Sequence, residues 1–176
     1  MSMLALFGGP AGAGKSTLAR AWCETRARAV HVELDAIWAL IVAGRADPQQ
    51  PSELQGQQYT LSVAACIGLA RAFLDAGYDV AVDDVLPPDA FEREWRPLLA
   101  GVDWRVVIVL PTLGETLQRS RSRTKRVLEY HTRGQHRASE GWPATCRVDT
   151  TGLSVEASLA LVCAVLEHRE QSGGPS

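Results

Sequence analysis

Short aliphatic runs alternate along this chain with longer stretches in which apolar residues return every three or four positions. Residues 3–7 (MLALF) form the first run and end at glycine, the pattern of a buried parallel strand. Residues 15–28 place Leu18, Ala19, Trp22 and Cys23 at core spacing, so a helix is expected. Residues 29–34 (AVHVEL) alternate like a strand and lead into Asp35, and residues 36–43 suit one or two helical turns. Residues 44–56 hold prolines, glycine and polar side chains and read as a loop. Residues 57–76 form a long, largely apolar helix stopped by Gly77. A strand at 78–82 ends in Asp83-Asp84, Pro87-Pro88 breaks the chain, and residues 89–100 are helical. Residues 104–110 (WRVVIVL) are the strongest strand. A basic helix at 113–126, a second at 128–137, a short strand at 146–148 and a closing helix at 154–168 complete the order.

Strand and helix alternate throughout. That order implies an α/β fold of three layers, a five-stranded parallel sheet with helices on both faces. Right-handed crossovers leave few other topologies.

Composition adds limits rather than direction. With 176 residues, 46% of them hydrophobic, the chain suits one domain, assigned to residues 1–170, with a Ser/Gly/Pro tail at 171–176. The four cysteines are scattered, without CxxC, as in a cytoplasmic protein with reduced, mostly buried thiols. No apolar run approaches a membrane span, and no basic leader precedes the first one. The net charge of -2 gives no general attraction to nucleic acid. The charge is uneven, however. Seven of the eighteen Lys and Arg residues lie between Arg119 and Arg137, opposed there only by Glu129.

Chemistry enters at GGPAGAGKST. Gly9, Pro10, Ala11, Gly12, Ala13, Gly14, Lys15 and Ser16 fit G-x-x-x-x-G-K-[ST] at every fixed position, between a predicted strand and a predicted helix. Glycines let backbone N–H groups turn inward around an anion, and the helix that follows points its positive end at the same anion. Lys15 is then placed for the β- and γ-phosphates of ATP and Ser16 for Mg²⁺, with Thr17 beside them. The competing reading, a glycine-rich turn that binds nothing, does not explain why one of only two lysines sits here.

Three further features narrow the chemistry. Asp35 stands at the end of the second strand, where a carboxylate can accept a proton from a hydroxyl attacking the γ-phosphate. It could instead cap a helix starting at Ala36. Asp83 and Asp84 end the third strand, the place of a metal-holding acid, and either can take that role. Arg119, Arg123 and Arg126 recur at one helical face, as a cationic lid over migrating phosphate requires, with a solvated basic helix as the plain alternative. After WRVVIVL comes PTLGE and no NKxD-type base reader, which argues against GTP.

These stretches resemble the small P-loop phosphotransferases of the nucleoside-monophosphate-kinase fold. The chain is most similar to chloramphenicol phosphotransferase and related small-molecule kinases, and more distantly to shikimate and gluconate kinases. The likeness spans nearly the whole chain and rests on GGPAGAGKST, ELDAIW, VAVDDVLPPDAFEREWRPLL, SRSRTKRV and VDTTGLSVEASLALV. It implies sheet order 2-3-1-4-5, an arginine lid at about 119–140, Asp35 as catalytic base and Thr150 beside the adenine. Lys15, Arg123 and Arg126 become catalytic candidates, and Arg119 a nucleotide contact. Residues 36–58, the expected substrate segment, match no specific pattern. Trp38, Arg45, Asp84, Trp95 and Arg133 are candidate acceptor contacts, with Tyr59 and Arg96 near them. Core packing or surface pairing is as good a reading for each alone.

The leading function is an ATP- and Mg²⁺-dependent kinase of a small hydroxyl compound, an antibiotic or metabolite, acting as monomer or homodimer without nucleic acid or membrane. A nucleoside or nucleotide kinase is the alternative. An RNA-end or nucleic-acid-binding P-loop protein and a nucleotide-sensing switch rank lower, since only Tyr130 interleaves the basic stretch.

Overall fold

In a computed structural model describing residues 2–121 and 127–168, five parallel strands stand in the order β2-β3-β1-β4-β5. They are β1 (Leu4–Gly8), β2 (Ala29–Glu33), β3 (Asp79–Asp83), β4 (Trp104–Val109) and β5 (Arg147–Val148). The helices are α1 (Lys15–Glu24), α2 (Leu34–Ala39), α3 (Glu53–Asp75), α4 (Pro88–Ala90), α5 (Leu113–Arg121), α6 (Glu129–Ser139) and α7 (Val155–Glu167). The expected three-layer architecture and strand order are therefore observed.

Strand periodicity sorts the core. On β1, Leu4 and Leu6 face a cluster with Val63, Ile67 and Trp95, whereas Ala5 and Phe7 face Leu18, Trp22 and Val162 on the other side. β1 is fully buried between β3 and β4, so its C-terminal end, and the loop that follows, lies at the middle of the sheet edge. That is where open parallel sheets leave a crevice for ligands.

Four elements differ from the sequence reading. α1 ends at Glu24, four residues before the expected end. α3 begins at Glu53, four residues before the expected start, because the Ser52 side chain accepts from the Gln55 backbone N–H and caps it. α2 begins at Leu34, so Asp35 lies inside its first turn and Glu33 holds the cap position. The expected helix at 89–100 is α4 followed by a π-turn at Phe91–Trp95 and a 3₁₀ turn at Arg96–Leu99. Pro97 has no N–H to continue an α-helical ladder there. Of the cysteines, Cys66 and Cys146 are buried and Cys23 and Cys163 partly so. Among the described residues no helix is long and apolar enough to cross a membrane. The tail at 171–176 lies outside the described residues.

Candidate active site

The phosphate loop is shaped by backbone that only glycine accepts readily. Gly9, Gly12 and Gly14 have φ of 133°, 89° and 97°. A Cβ at Gly12 would stand 2.5 Å from the Thr116 carbonyl oxygen and 2.8 Å from the Ser120 nitrogen, so the loop lies directly on α5. At the other edge, the Gly9 N–H donates to the Val85 carbonyl at 3.0 Å. The loop is thus fixed to both neighbouring strand-helix connections before α1 starts at Lys15. The Lys15 ammonium folds back onto the Pro10 carbonyl at 3.0 Å.

One loop amide is engaged by another element. The Ala11 N–H donates to Oε1 of Gln135 on α6 at 2.9 Å. The donor set fits a triphosphate: left-handed glycines, an inward amide, a lysine and a helix N-terminus converge.

Asp83 and Asp84 are adjacent in sequence and live in different surroundings. Asp83 is buried, with His31 Nε2 3.1 Å from its Oδ2. Burial works to raise its carboxyl, but hydrogen bonds from His31 and Ser16 and the Lys15 charge hold it below the ordinary 3.8. Asp84 turns the other way. Its Oδ2 accepts from the Tyr59 hydroxyl at 2.8 Å, and that hydroxyl accepts from Trp95 Nε1 at 3.1 Å. Burial, helped by the nearby Asp35 charge, pushes Asp84 above 3.8 despite Tyr59, the Val85 amide and Lys15. Burial first, then the Asp84 charge, raises Tyr59 far above its ordinary range, so it remains a donor.

Lys15, Ser16, Asp35, Trp38, Tyr59, Asp83 and Asp84 all line one cleft of about 450 Å³. Ser16 and Asp83 fit Mg²⁺, a cation that keeps several waters and takes few protein ligands. Among the described residues no cluster of three or more His, Cys, Asp or Glu side chains forms a fuller metal site.

Other candidates lie elsewhere. Trp95 is fully buried in the core and reaches the cleft only through Tyr59. Arg45 is exposed outside the cleft lining, as is Arg133, which pairs with Glu129. Arg96 pairs with Glu92 on the surface. Arg119 pairs with Glu115, and its guanidinium approaches the Thr150 carbonyl at 3.5 Å and lies near Gly14. Thr150 is buried. Arg123 and Arg126 lie outside the described residues. His31, Glu94, His131 and Gln135 were not anticipated. Of these, only His31 carried a readable signal, standing two positions before Glu33 on an otherwise apolar strand.

A P-loop followed by a lined cleft at the edge of a 2-3-1-4-5 sheet defines a P-loop kinase fold. The chain belongs to the AAA domain family, whose model matches residues 4–141. No curated protein matches it. Among solved structures it is similar to the tunicamycin resistance protein of Deinococcus radiodurans, with 18% identity and a TM-score of 0.67 over 95% of this chain and 96% of that one. It is also similar to the APS kinase of Mycobacterium tuberculosis, solved with AMPPNP and APS, with 19% identity and a TM-score of 0.65 over 95% and 98%. A gluconokinase from Sinorhizobium meliloti shares 14% identity and a TM-score of 0.61 over 94% and 90%.

Proposed function

We propose that this protein is an ATP-dependent kinase that transfers the γ-phosphoryl group to a hydroxyl of a small molecule, an antibiotic or a metabolite. The observation that carries this reading is a cleft whose lining brings Lys15, Ser16 and Asp83 together with Asp35. Similarity to kinases of small molecules supports it.

When bound, MgATP supplies the transferable phosphoryl group and a neutralised leaving group. The loop amides and Lys15, whose ammonium rests on the Pro10 carbonyl, would hold the phosphate chain. Ser16 and Asp83 would hold the metal, with His31 fixing the Asp83 carboxylate. Asp35 accepts the proton of the acceptor hydroxyl. Asp84, steadied by Tyr59, orients that hydroxyl. Arg119, beside Gly14 and Thr150, contacts the nucleotide, and the lid arginines Arg123 and Arg126 stabilise the migrating group.

The test is a mass-spectrometric screen of hydroxyl compounds, chloramphenicol among them, for gain of one phosphoryl group. With an acceptor found, Asp35→Asn lowers kcat by roughly 10²–10⁴-fold while nucleotide affinity stays. Unchanged turnover in Asp35→Asn would remove Asp35 from its role as base.

A further inference from the structure

The described lining of the cleft is acidic. Besides Asp83, four carboxylates line it from separate elements: Glu33 at the end of β2, which also borders a hollow beside Ser16, Thr17 and Arg20, Asp35 on α2, Asp84 after β3 and Glu94 in the π-turn. Against them, among the described lining residues beyond Lys15, stand only Arg93 and His131. Arg93 and Glu94 offset each other, the Arg93 Nε lying 2.9 Å from Glu94 Oε1, so the excess negative charge sits on Glu33, Asp35 and Asp84. Trp38 supplies a mostly buried apolar surface to the same cleft.

A kinase that phosphorylates an anionic acceptor must hold two negative molecules side by side, so it needs cations on the acceptor wall. Here that wall adds negative charge to a site that already receives a nucleoside triphosphate. At an effective dielectric suited to a partly open cleft, each carboxylate beside an anionic group costs roughly tenfold or more in affinity. The same carboxylates favour a protonated amine.

We infer that the acceptor carries no phosphate, sulfate or carboxylate: it is a hydroxyl compound that is uncharged or bears a protonated amine, with an apolar part against Trp38. This rests on the kinase reading of the same cleft. Nucleoside monophosphates, sugar acids and sulfated nucleotides are thereby excluded as acceptors, and polyols, nucleosides and amino-sugar or aminocyclitol alcohols are retained.

The experiment gives the full chain and MgATP three panels matched in size. One is anionic (gluconate, shikimate, nucleoside monophosphates), one is neutral (hexitols, nucleosides, chloramphenicol) and one is cationic (amino sugars, aminocyclitols). Phosphorylated product is read by mass spectrometry, with Lys15→Ala as the blank. Product confined to the neutral and cationic panels is the expected result. Glu94→Gln should then raise KM for an amine-bearing acceptor by roughly tenfold relative to its effect on a neutral one. An anionic acceptor turned over as well as the best neutral one overturns the inference while leaving the kinase reading intact. Product from no panel, with AMPPNP bound tightly, overturns the kinase reading and this inference with it.

Discussion

At the phosphate end of the cleft the chain is held by its backbone; at the acceptor end it is held by side chains. The loop at residues 9–14 has left-handed glycines, sits against α5 without room for a Cβ at Gly12, and is tied to Val85. The acceptor wall instead draws Asp35, Asp84 and Trp38 from α2 and the end of β3, and Asp84 is steadied by a side-chain chain from Trp95 through Tyr59. A backbone cradle tolerates few sequences and binds what all nucleoside triphosphates share. A side-chain wall varies freely and selects one acceptor. Mutations at the two ends should therefore fail in different ways.

The largest expected effect comes from emptying the cradle of its mobile charge. Lys15→Ala should lower phosphoryl transfer by roughly 10²–10³-fold or more, by loss of a charged donor at the migrating group, with fold and melting temperature kept. Single-turnover assays with a saturating acceptor measure it. If Lys15→Ala transfers at the wild-type rate, the phosphate end does not do the chemistry assigned to it.

Next is the cradle's geometry. Gly12→Ala combines an unfavourable φ with a clash against Thr116 and Ser120 backbone. The expected cost is about 2–5 kcal/mol, read by urea unfolding, together with loss of nucleotide binding. An alanine of equal stability there would show that the loop shifts easily, and the contrast between the two ends would collapse.

The same contrast explains what the sequence made readable. The cradle is local: glycines, lysine and serine stand in one short run, and the flanking strand and helix follow from period and placement. The five strands follow equally from buried runs such as residues 4–8 and 104–109, whereas their order comes from the resemblance to small P-loop phosphotransferases. The acceptor wall is assembled from positions far apart in the chain, so Glu94 and His131 carry no pattern. Gln135 reaches Ala11 across 124 residues. Trp95 read as a pocket residue because a lone tryptophan looks alike in a core and in a site. Its burial behind Tyr59 depends on the π-turn, which no periodicity announces. Ser52 was readable as a cap, with Gln55 three residues on, and the polar composition around it obscured that.

Removing the link between core and acceptor wall is a smaller perturbation. Tyr59→Phe leaves Trp95 Nε1 without its acceptor and Asp84 with the Val85 amide but not the hydroxyl. The cost should be about 1–3 kcal/mol, with kcat reduced and nucleotide affinity unchanged. Thermal unfolding and AMPPNP titration separate the two. Weakened nucleotide binding in Tyr59→Phe would mean that the two ends are not independent.

The smallest effect is also the most diagnostic, because the neighbouring acids are shifted in opposite directions. Asp83 lies below 3.8, so the folded state favours its charged form. Its contribution to stability is fully present above pH 3.8 and fades as pH falls through the lower folded value. Asp84 lies above 3.8, so the folded state favours its neutral form. That contribution is complete below pH 3.8 and is lost as pH rises through the folded value. Asp83→Asn should therefore lower the melting temperature at pH 7, with the deficit shrinking toward pH 3. Asp84→Asn should match or exceed the wild type, with its advantage growing from about pH 4 upward and levelling once the wild-type carboxyl is ionised. Melting curves between pH 3 and 8 on both variants carry the comparison. Parallel pH profiles would mean that the two carboxylates share one environment, and that the sheet edge does not divide a metal-holding acid from an acceptor-facing one. Opposed profiles place the division between two consecutive residues, where the chain leaves β3.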